Sequence, residues 1–116
     1  MGEARKIKKY QQHIVGLLES HKSAYNAPNS ELQDQLICDY QSNNFQLVTT
    51  GWTNNKYHYI VNFHFQIKPD GKIWLMVNNT DIRIAEELVE SGISRMDIVL
   101  GFHQPQYRQY TNFASA

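Results

Sequence analysis

The side chains best suited to chemistry in this sequence are five histidines and one cysteine: His13, His21, His58, His64, His103 and Cys38. None of the histidines stands in a His-Glu-x-x-His pattern, and a solitary cysteine can form neither a Cys-x-x-Cys pair nor an intramolecular disulfide. His58 and His64 share one face of a predicted strand, but they are about 20 Å apart, too far to bind one metal ion. The spacing therefore predicts no metal site, and Cys38 is interpreted as a small buried hydrophobe.

No segment matches a motif for nucleophilic catalysis or nucleotide binding. The sequence contains no Gly-x-Ser-x-Gly, Walker or Gly-x-Gly-x-x-Gly pattern, and its aspartates are scattered over several elements. One segment combines a glycine, an aromatic side chain and a histidine, namely Gly101-Phe102-His103-Gln104-Pro105. It lines a small-ligand pocket or forms a surface turn before the C-terminal tail. The sequence predicts a protein that is not an enzyme and that holds no cofactor.

Composition limits the kinds of partner. The 116 residues include 11 Lys plus Arg and 11 Asp plus Glu, so the formal net charge is zero. The length suits one domain over residues 1–116, and the charge argues against a stand-alone nucleic-acid binder. The basic cluster Arg5, Lys6, Lys8 and Lys9 is a solvated helix face or a contact for nucleic acid or an acidic partner. No apolar run approaches the ~20 residues that span a bilayer, and no signal-peptide pattern is visible, so we expect a cytoplasmic protein.

The element around which these residues are arranged is a hairpin over residues 57–78. Large apolar side chains alternate from Tyr57 to Ile67, which predicts a half-buried strand, and a second strand starts at Ile73. Pro69 excludes a two-residue type I′ turn, so we expect a three-residue turn with Gly71 in the left-handed region. That turn places Ile67 opposite Ile73, Phe65 opposite Leu75 and Phe63 opposite Val77.

The remaining elements follow from periodicity and capping. Helical spacing predicts a first helix over about residues 3–23, and residues 26–30 form a connecting loop. Strands over residues 31–41 and 45–52 are joined by a two-residue Asn43-Asn44 turn, which pairs Tyr40 with Leu47 and Cys38 with Thr49. A second helix contains Ile84 and ends at Gly92. The expected fold is α+β: a long N-terminal helix, a four-stranded antiparallel meander, a C-terminal helix and an ordered aromatic tail.

One face of this four-stranded sheet is expected to lack a helical cover. The alternation places His58, Ile60, His64, Trp74 and Met76 on that face, where three apolar side chains form a patch that a monomer rarely exposes. The candidate interaction surface consists of Ile60, His64, Trp74, Met76, Phe102 and His103. We expect the chain to form a homo-oligomer through this face or through the tail folded across it. The change Trp74→Asp then gives a soluble monomer, whereas it unfolds the protein if Trp74 belongs to the core. The pattern of apolar residues does not determine on which face of the sheet Trp52 lies.

Five motifs, in order along the chain, resemble those of a known family. They are Gly51-Trp52, Asp70-Gly-Lys-Ile-Trp74, Ile84-Ala-Glu-Glu-Leu-Val-Glu-Ser-Gly-Ile93, Asp97-Ile-Val-Leu-Gly-Phe-His103 and Arg108-Gln-Tyr-Thr-Asn-Phe113. The long N-terminal helix before the meander is also similar. The pattern resembles the XisI family, the fdxN element excision controlling factors of cyanobacteria, over nearly the whole chain.

The resemblance implies a small α+β accessory protein that acts with a nuclease-related partner, XisH, in the control of site-specific DNA excision. A separate recombinase performs the excision, so DNA is reached only indirectly, through partners. The family offers no catalytic residues to carry over. Two alternatives remain open: an antitoxin-like inhibitor subunit of a nuclease-like partner, and a small-ligand-binding protein with its site at residues 101–105.

Overall fold

A computed structural model describes residues 2–23 and 31–116 of the chain. Helix α1 (Gly2–Ser20) is followed by strands β1 (Gln33–Asp39), β2 (Asn44–Thr53), β3 (Lys56–Ile67) and β4 (Ile73–Asn78). Helix α2 (Ile84–Glu90), a 3-10 turn (Arg95–Asp97), strand β5 (Ile98–Leu100) and the short helix α3 (Pro105–Arg108) complete the chain. The predicted loop over residues 26–30 lies outside the described residues. Within the described part no helix is both long and apolar enough to cross a membrane.

The strands form one sheet in the order β1-β2-β3-β4-β5. The first four pair antiparallel, as predicted, but β5 pairs parallel to β4, with Ile73 opposite Ile98 and Leu75 opposite Leu100. The prediction of a four-stranded, purely antiparallel sheet was therefore wrong in strand count and in this pairing. A parallel neighbour requires a crossover connection, and α2 supplies it. The three-residue run of β5 is too short to be recognised as a strand from its own sequence.

Helices α1 and α2 cover one face of the sheet, here called the helix face. Apolar side chains at helical spacing on α1, Tyr10, Ile14 and Leu18, are buried in one cluster with Ile84 and Leu88 of α2. The sheet contributes alternate residues to this cluster: Phe45, Leu47, Phe63, Phe65, Ile67, Ile73 and Leu75. The predicted amphipathic helices are confirmed. Helix α1 ends at Ser20, and the chain continues as a turn in which His21 and Lys22 donate backbone hydrogen bonds three residues back.

The turn between β3 and β4 has the predicted geometry. Gly71 has φ +88°, its N–H donates to Lys68 O at 2.8 Å, and Lys68 N–H donates to Lys72 O at 2.9 Å. Phe65 lies opposite Leu75 and Ile67 opposite Ile73, as expected.

Beyond Phe65 the predicted register of this hairpin fails. Val77 lies opposite His64, and Phe63 lies opposite Asn78, because the register shifts between His64 and Phe65. Met76 is the additional residue of β4, a β-bulge that the alternation of apolar residues does not reveal.

The turn between β1 and β2 is longer than the predicted two-residue Asn43-Asn44 turn, and it spans residues 40–43. Cys38 lies opposite Phe45 and Asp39 opposite Asn44, so the predicted pairs of Tyr40 with Leu47 and of Cys38 with Thr49 were wrong. The cause is the Asp39 carboxylate, which accepts the backbone N–H groups of Gln41 and Ser42 and turns the chain early. Since the shift is an even number of residues, Cys38 still faces the helices.

Candidate interaction surface

A second β-bulge, in β3, decides which side chains lie on the face of the sheet that α1 and α2 leave uncovered, here called the open face. Leu47 lies opposite Phe63, but Val48 lies opposite Val61, so Asn62 is the additional residue. Asn62 Nδ2 donates to Thr49 Oγ1 on the helix face at 2.7 Å. Side chains N-terminal to Asn62 therefore change faces relative to the unbroken alternation.

The bulge corrects the predicted composition of the candidate surface. Ile60 lies opposite Thr49 on the helix face and His58 bonds Thr53 there at 2.6 Å, so neither shares a face with Trp74. Tyr57, Tyr59 and Val61, predicted to point toward the core, lie on the open face instead. His64 and Trp74 do lie on the open face, as predicted, since they pair with Gln46 and Gln66.

The bulge and the β2–β3 turn create an aromatic platform, defined here as Trp52, Tyr57 and Tyr59. Trp52 lies opposite Tyr57 with ring centroids 5.2 Å apart, and the pairing places both on the open face. The three side chains are 49%, 51% and 67% exposed, so each large ring presents about half or more of its surface to solvent. The question of which face carries Trp52 is thereby answered.

Gly51 holds Trp52 in place. Its φ is +126°, and a Cβ built on it would lie 2.3 Å from the Glu31 carbonyl oxygen. Glu31 N–H in turn donates to Trp52 O at 2.9 Å, which ties the chain before β1 to the platform. Only glycine combines this backbone conformation with so close an approach.

The centre of the open face is amide-rich and nearly uncharged. Strands β2, β3 and β4 contain no Asp or Glu, and Lys56 is their one Lys or Arg. His64 lies among amides, with its Nε2 2.8 Å from Asn44 Oδ1. Burial lowers the pKa of His64, which favours the neutral imidazole. A partner that covers this face displaces water from amides and rings rather than from carboxylates.

The C-terminal tail covers the end of the open face that carries Trp74. The Arg108 guanidinium lies 4.8 Å from the centroid of the Trp74 ring, and Lys68 Nζ lies 5.1 Å from it. Arg108 Nε donates to His103 O at 3.0 Å, which fixes the guanidinium over the ring. Trp74 is half-buried under cations of its own chain, so it is less available to a partner than the aromatic platform.

Close packing also determines the residue at position 101. A Cβ on Gly101 would lie 3.0 Å from Trp74 Cε3 and 3.2 Å from Met76 Sδ, so the chain passes directly over both side chains. Further along, Ala114 N–H donates to Ile98 O at 2.8 Å and the Phe113 ring packs on the core. The tail is ordered, as predicted. Its tyrosines do not order it, since Tyr107 and Tyr110 are 56% and 78% exposed.

The segment proposed for a small ligand is only partly in a cleft. Phe102 lines a cleft of about 310 Å³ with Leu75, Ile84, Leu100 and Phe113. His103 is not among its lining residues; it is exposed and packs on Phe102 with ring centroids 4.7 Å apart. The structure therefore does not bring the histidine together with polar groups of the cleft.

Two carboxyl groups with a lowered pKa, Asp97 and Glu86, belong to ion pairs that lie away from the platform. Burial favours protonation of Asp97, but hydrogen bonds from Tyr10 and Lys6 outweigh it and lower the Asp97 pKa. Lys6 Nζ is 3.2 Å from this carboxylate, so one residue of the basic cluster holds α1 to the 3-10 turn. The hydrogen bond from Arg95 lowers the pKa of Glu86. Among the described residues no group of three or more His, Cys, Asp or Glu is placed to hold a metal ion.

The model of the XisI protein family matches residues 4–115. This chain belongs to the XisI family. It is 42% identical to a XisI-like protein from Anabaena variabilis, with a TM-score of 0.85 over 95% of this chain and 99% of that one. It is 32% identical to the fdxN element excision controlling factor XisI from Anabaena variabilis, with a TM-score of 0.78 over 96% and 99% of the two chains. No functionally curated protein matches the sequence.

The structure gives physical reasons for two XisI-like motifs of this chain. In Gly51-Trp52 the glycine provides the approach to Glu31, and in the segment from Asp97 to His103 Gly101 passes over Trp74. The platform tyrosines, by contrast, were not recognised as surface residues. No feature of the sequence marks the bulge, because Asn62 occupies a polar position of the alternation, as His58 and His64 do.

Proposed function

We propose that this XisI-family chain is a non-enzymatic regulatory subunit that binds a partner protein through its open sheet face. The observation that carries the proposal is the aromatic platform, three rings about half exposed or more on a face whose strands β2 to β4 contain no carboxylate.

The composition of the face suits protein–protein association. Interface cores are enriched in Trp, Tyr, Met and Arg and depleted in Lys, Glu and Asp. The open face carries Trp52, Tyr57 and Tyr59 at one end and Arg108 at the other. Burial of apolar surface contributes about 25 cal/mol per Å², and little of that gain is lost here to desolvation of charges.

The partner that we propose is an XisH-like, nuclease-related protein, with DNA reached only through it. The family relationship supports this role, since one solved relative is described as an fdxN element excision controlling factor. Zero net charge supports the indirect contact with DNA, because proteins that bind nucleic acid by themselves usually present a basic face. We also propose that the protein self-associates through the same face when no partner is bound.

The test replaces Tyr59 by Asp and measures binding to an XisH-like protein from the same host by isothermal titration calorimetry. Tyr59 is 67% exposed, so the fold tolerates the change, whereas a charge in a desolvated interface opposes binding. We expect at least a tenfold loss of affinity, about 1.4 kcal/mol or more. Analytical ultracentrifugation of the free variant shows whether self-association is lost in parallel.

The matched control is Tyr40→Asp. Tyr40 is 55% exposed but lies in the β1–β2 turn, where its ring packs edge-on against Phe45, so it shares no contact with the platform. This variant should bind normally. Undiminished binding by both Tyr59→Asp and a Trp52→Asp variant would remove the open face from the proposal.

A further inference from the structure

A polar cavity of about 170 Å³ lies on the helix face, between the end of α1, strand β1 and the β3 bulge. Its polar lining includes His21, Asp34, Thr49 and Asn62, and Leu47 and Phe63 form an apolar wall. No motif in the sequence indicates this site, because its lining residues come from five separate segments, the fifth of which contains Thr80 and Ile82. It borders the cleft beside Phe102, with which it shares Thr80 and Ile82, and it lies on the opposite face of the sheet from the aromatic platform.

The cavity is built around a chain of hydrogen bonds. Asn62, the additional residue of the bulge, donates from Nδ2 to Thr49 Oγ1 at 2.7 Å. Thr49 Oγ1 donates to Asp34 Oδ1 at 2.6 Å, and Ser23 N–H donates to Asp34 Oδ2 at 2.8 Å. Thr49 is only 6% exposed, so this network fixes the Asp34 carboxylate from two sides.

Acceptors predominate among the groups that remain for an occupant, beside one donor, the second Nδ2 hydrogen of Asn62, which no described hydrogen bond uses. The hydroxyl hydrogen of Thr49 is used by Asp34, and the Asn62 amide, which donates to Thr49, adds a carbonyl oxygen. Each Asp34 oxygen accepts one described hydrogen bond and has capacity for a second. The Glu87 carboxylate, with Oε1 2.6 Å from His21 Nε2, orients the His21 ring in the lining. The lining therefore combines one formal negative charge with several acceptors.

We propose that this cavity binds a cationic nitrogen group of the guanidinium class. Such a group supplies several N–H donors and a positive charge for Asp34, which forms no ion pair among the described residues. Charge-assisted hydrogen bonds to a carboxylate are the stronger ones. The Phe63 ring also lines the cavity, and the face of an aromatic ring attracts a cation that lies against it. One water molecule occupies about 30 Å³ in the liquid, so the cavity has the volume of about five waters. Methylguanidinium is of that size.

Two sources present this chemistry, a small guanidinium compound and an arginine side chain of a partner. Because the cavity and the aromatic platform lie on opposite faces of the sheet, the site is tested without the partner protein. If the platform variants bind the partner normally, the proposal for the cavity is unaffected. If the cavity binds no methylguanidinium, the proposal for the platform is unaffected.

The experiment titrates the full chain with methylguanidinium and follows amide chemical shifts by NMR. Methylurea, a neutral molecule of nearly the same shape, is the matched control ligand. We expect saturable shifts at Thr49, Asn62 and His21 with methylguanidinium and none with methylurea. Equal responses to the two ligands, or no saturable shift at these residues, would overturn the proposal, and neither outcome depends on the folding of a variant.

The change Asp34→Asn keeps the side-chain shape and removes the charge. It should weaken methylguanidinium binding at least about tenfold, whereas Glu90→Gln, on the exposed side of α2, should not. Unchanged affinity in a folded Asp34→Asn variant contradicts the assignment. A Gly-Arg-Gly peptide then separates the sources: binding as tight as that of methylguanidinium indicates a partner's arginine, and weaker binding indicates a small free ligand.

Discussion

Replacing Gly51 by Ala should destabilise the protein severely, because the added methyl group is unfavourable for two independent reasons. The backbone at φ +126° is a region that L residues rarely adopt, at a cost of about 1–3 kcal/mol. The new Cβ would also lie 2.3 Å from the Glu31 carbonyl oxygen, which is backbone and must move. That movement breaks the hydrogen bond from Glu31 N–H to Trp52 O, worth about 0.5–1.5 kcal/mol. We expect the free energy of unfolding to fall by about 2–4 kcal/mol.

Urea denaturation followed by circular dichroism measures this loss, with binding of the XisH-like partner as a second readout. Gly16→Ala is the control, because Gly16 is an exposed residue of α1 and a methyl group added there meets nothing within 4 Å. It should stabilise the protein by roughly 0.5–1 kcal/mol. If Gly51→Ala changes the free energy of unfolding by less than about 0.5 kcal/mol, the edge of the sheet adapts freely and the reasoning fails.

Two predictions concern pH. Hydrogen bonds lower the Asp97 pKa from 3.8 in the folded state, so Asp97 stabilises the fold above that pH and the contribution is lost on further acidification. The melting temperature of Asp97→Asn should therefore lie below that of the wild type at neutral pH and approach it in acid; a constant difference would contradict this. Burial lowers the His64 pKa from 6.5, so the unfolded chain takes up this proton first and stability falls as the pH drops below 6.5. His64→Gln should show a shallower loss in that range by thermal denaturation, and parallel curves for the two proteins would refute the role of His64.

The most accurate predictions were those that depend only on residues close together in the sequence. Pro69 restricts the hairpin turn to one geometry, and the structure has Gly71 at positive φ with Phe65 opposite Leu75. Helical periodicity identified α1, whose Ile14 and Leu18 are buried in the core, for the same reason, since both signals depend on neighbouring residues alone. The Asn43-Asn44 turn failed because the Asp39 carboxylate competed for the backbone N–H groups of Gln41 and Ser42.

The sequence by itself determined the order of helices and strands, most of the core and the family, because these depend on periodicity and on motifs read along the chain. Tertiary structure alone decided that β5 joins the sheet and that Tyr57 and Tyr59 face outward. Both depend on pairing between strands. The alternation of apolar residues runs unbroken from Tyr57 to Ile67, and a bulge at Asn62 reverses its faces without altering the pattern. The platform and the polar cavity therefore arise from one inserted residue, whose position only the assembled sheet reveals.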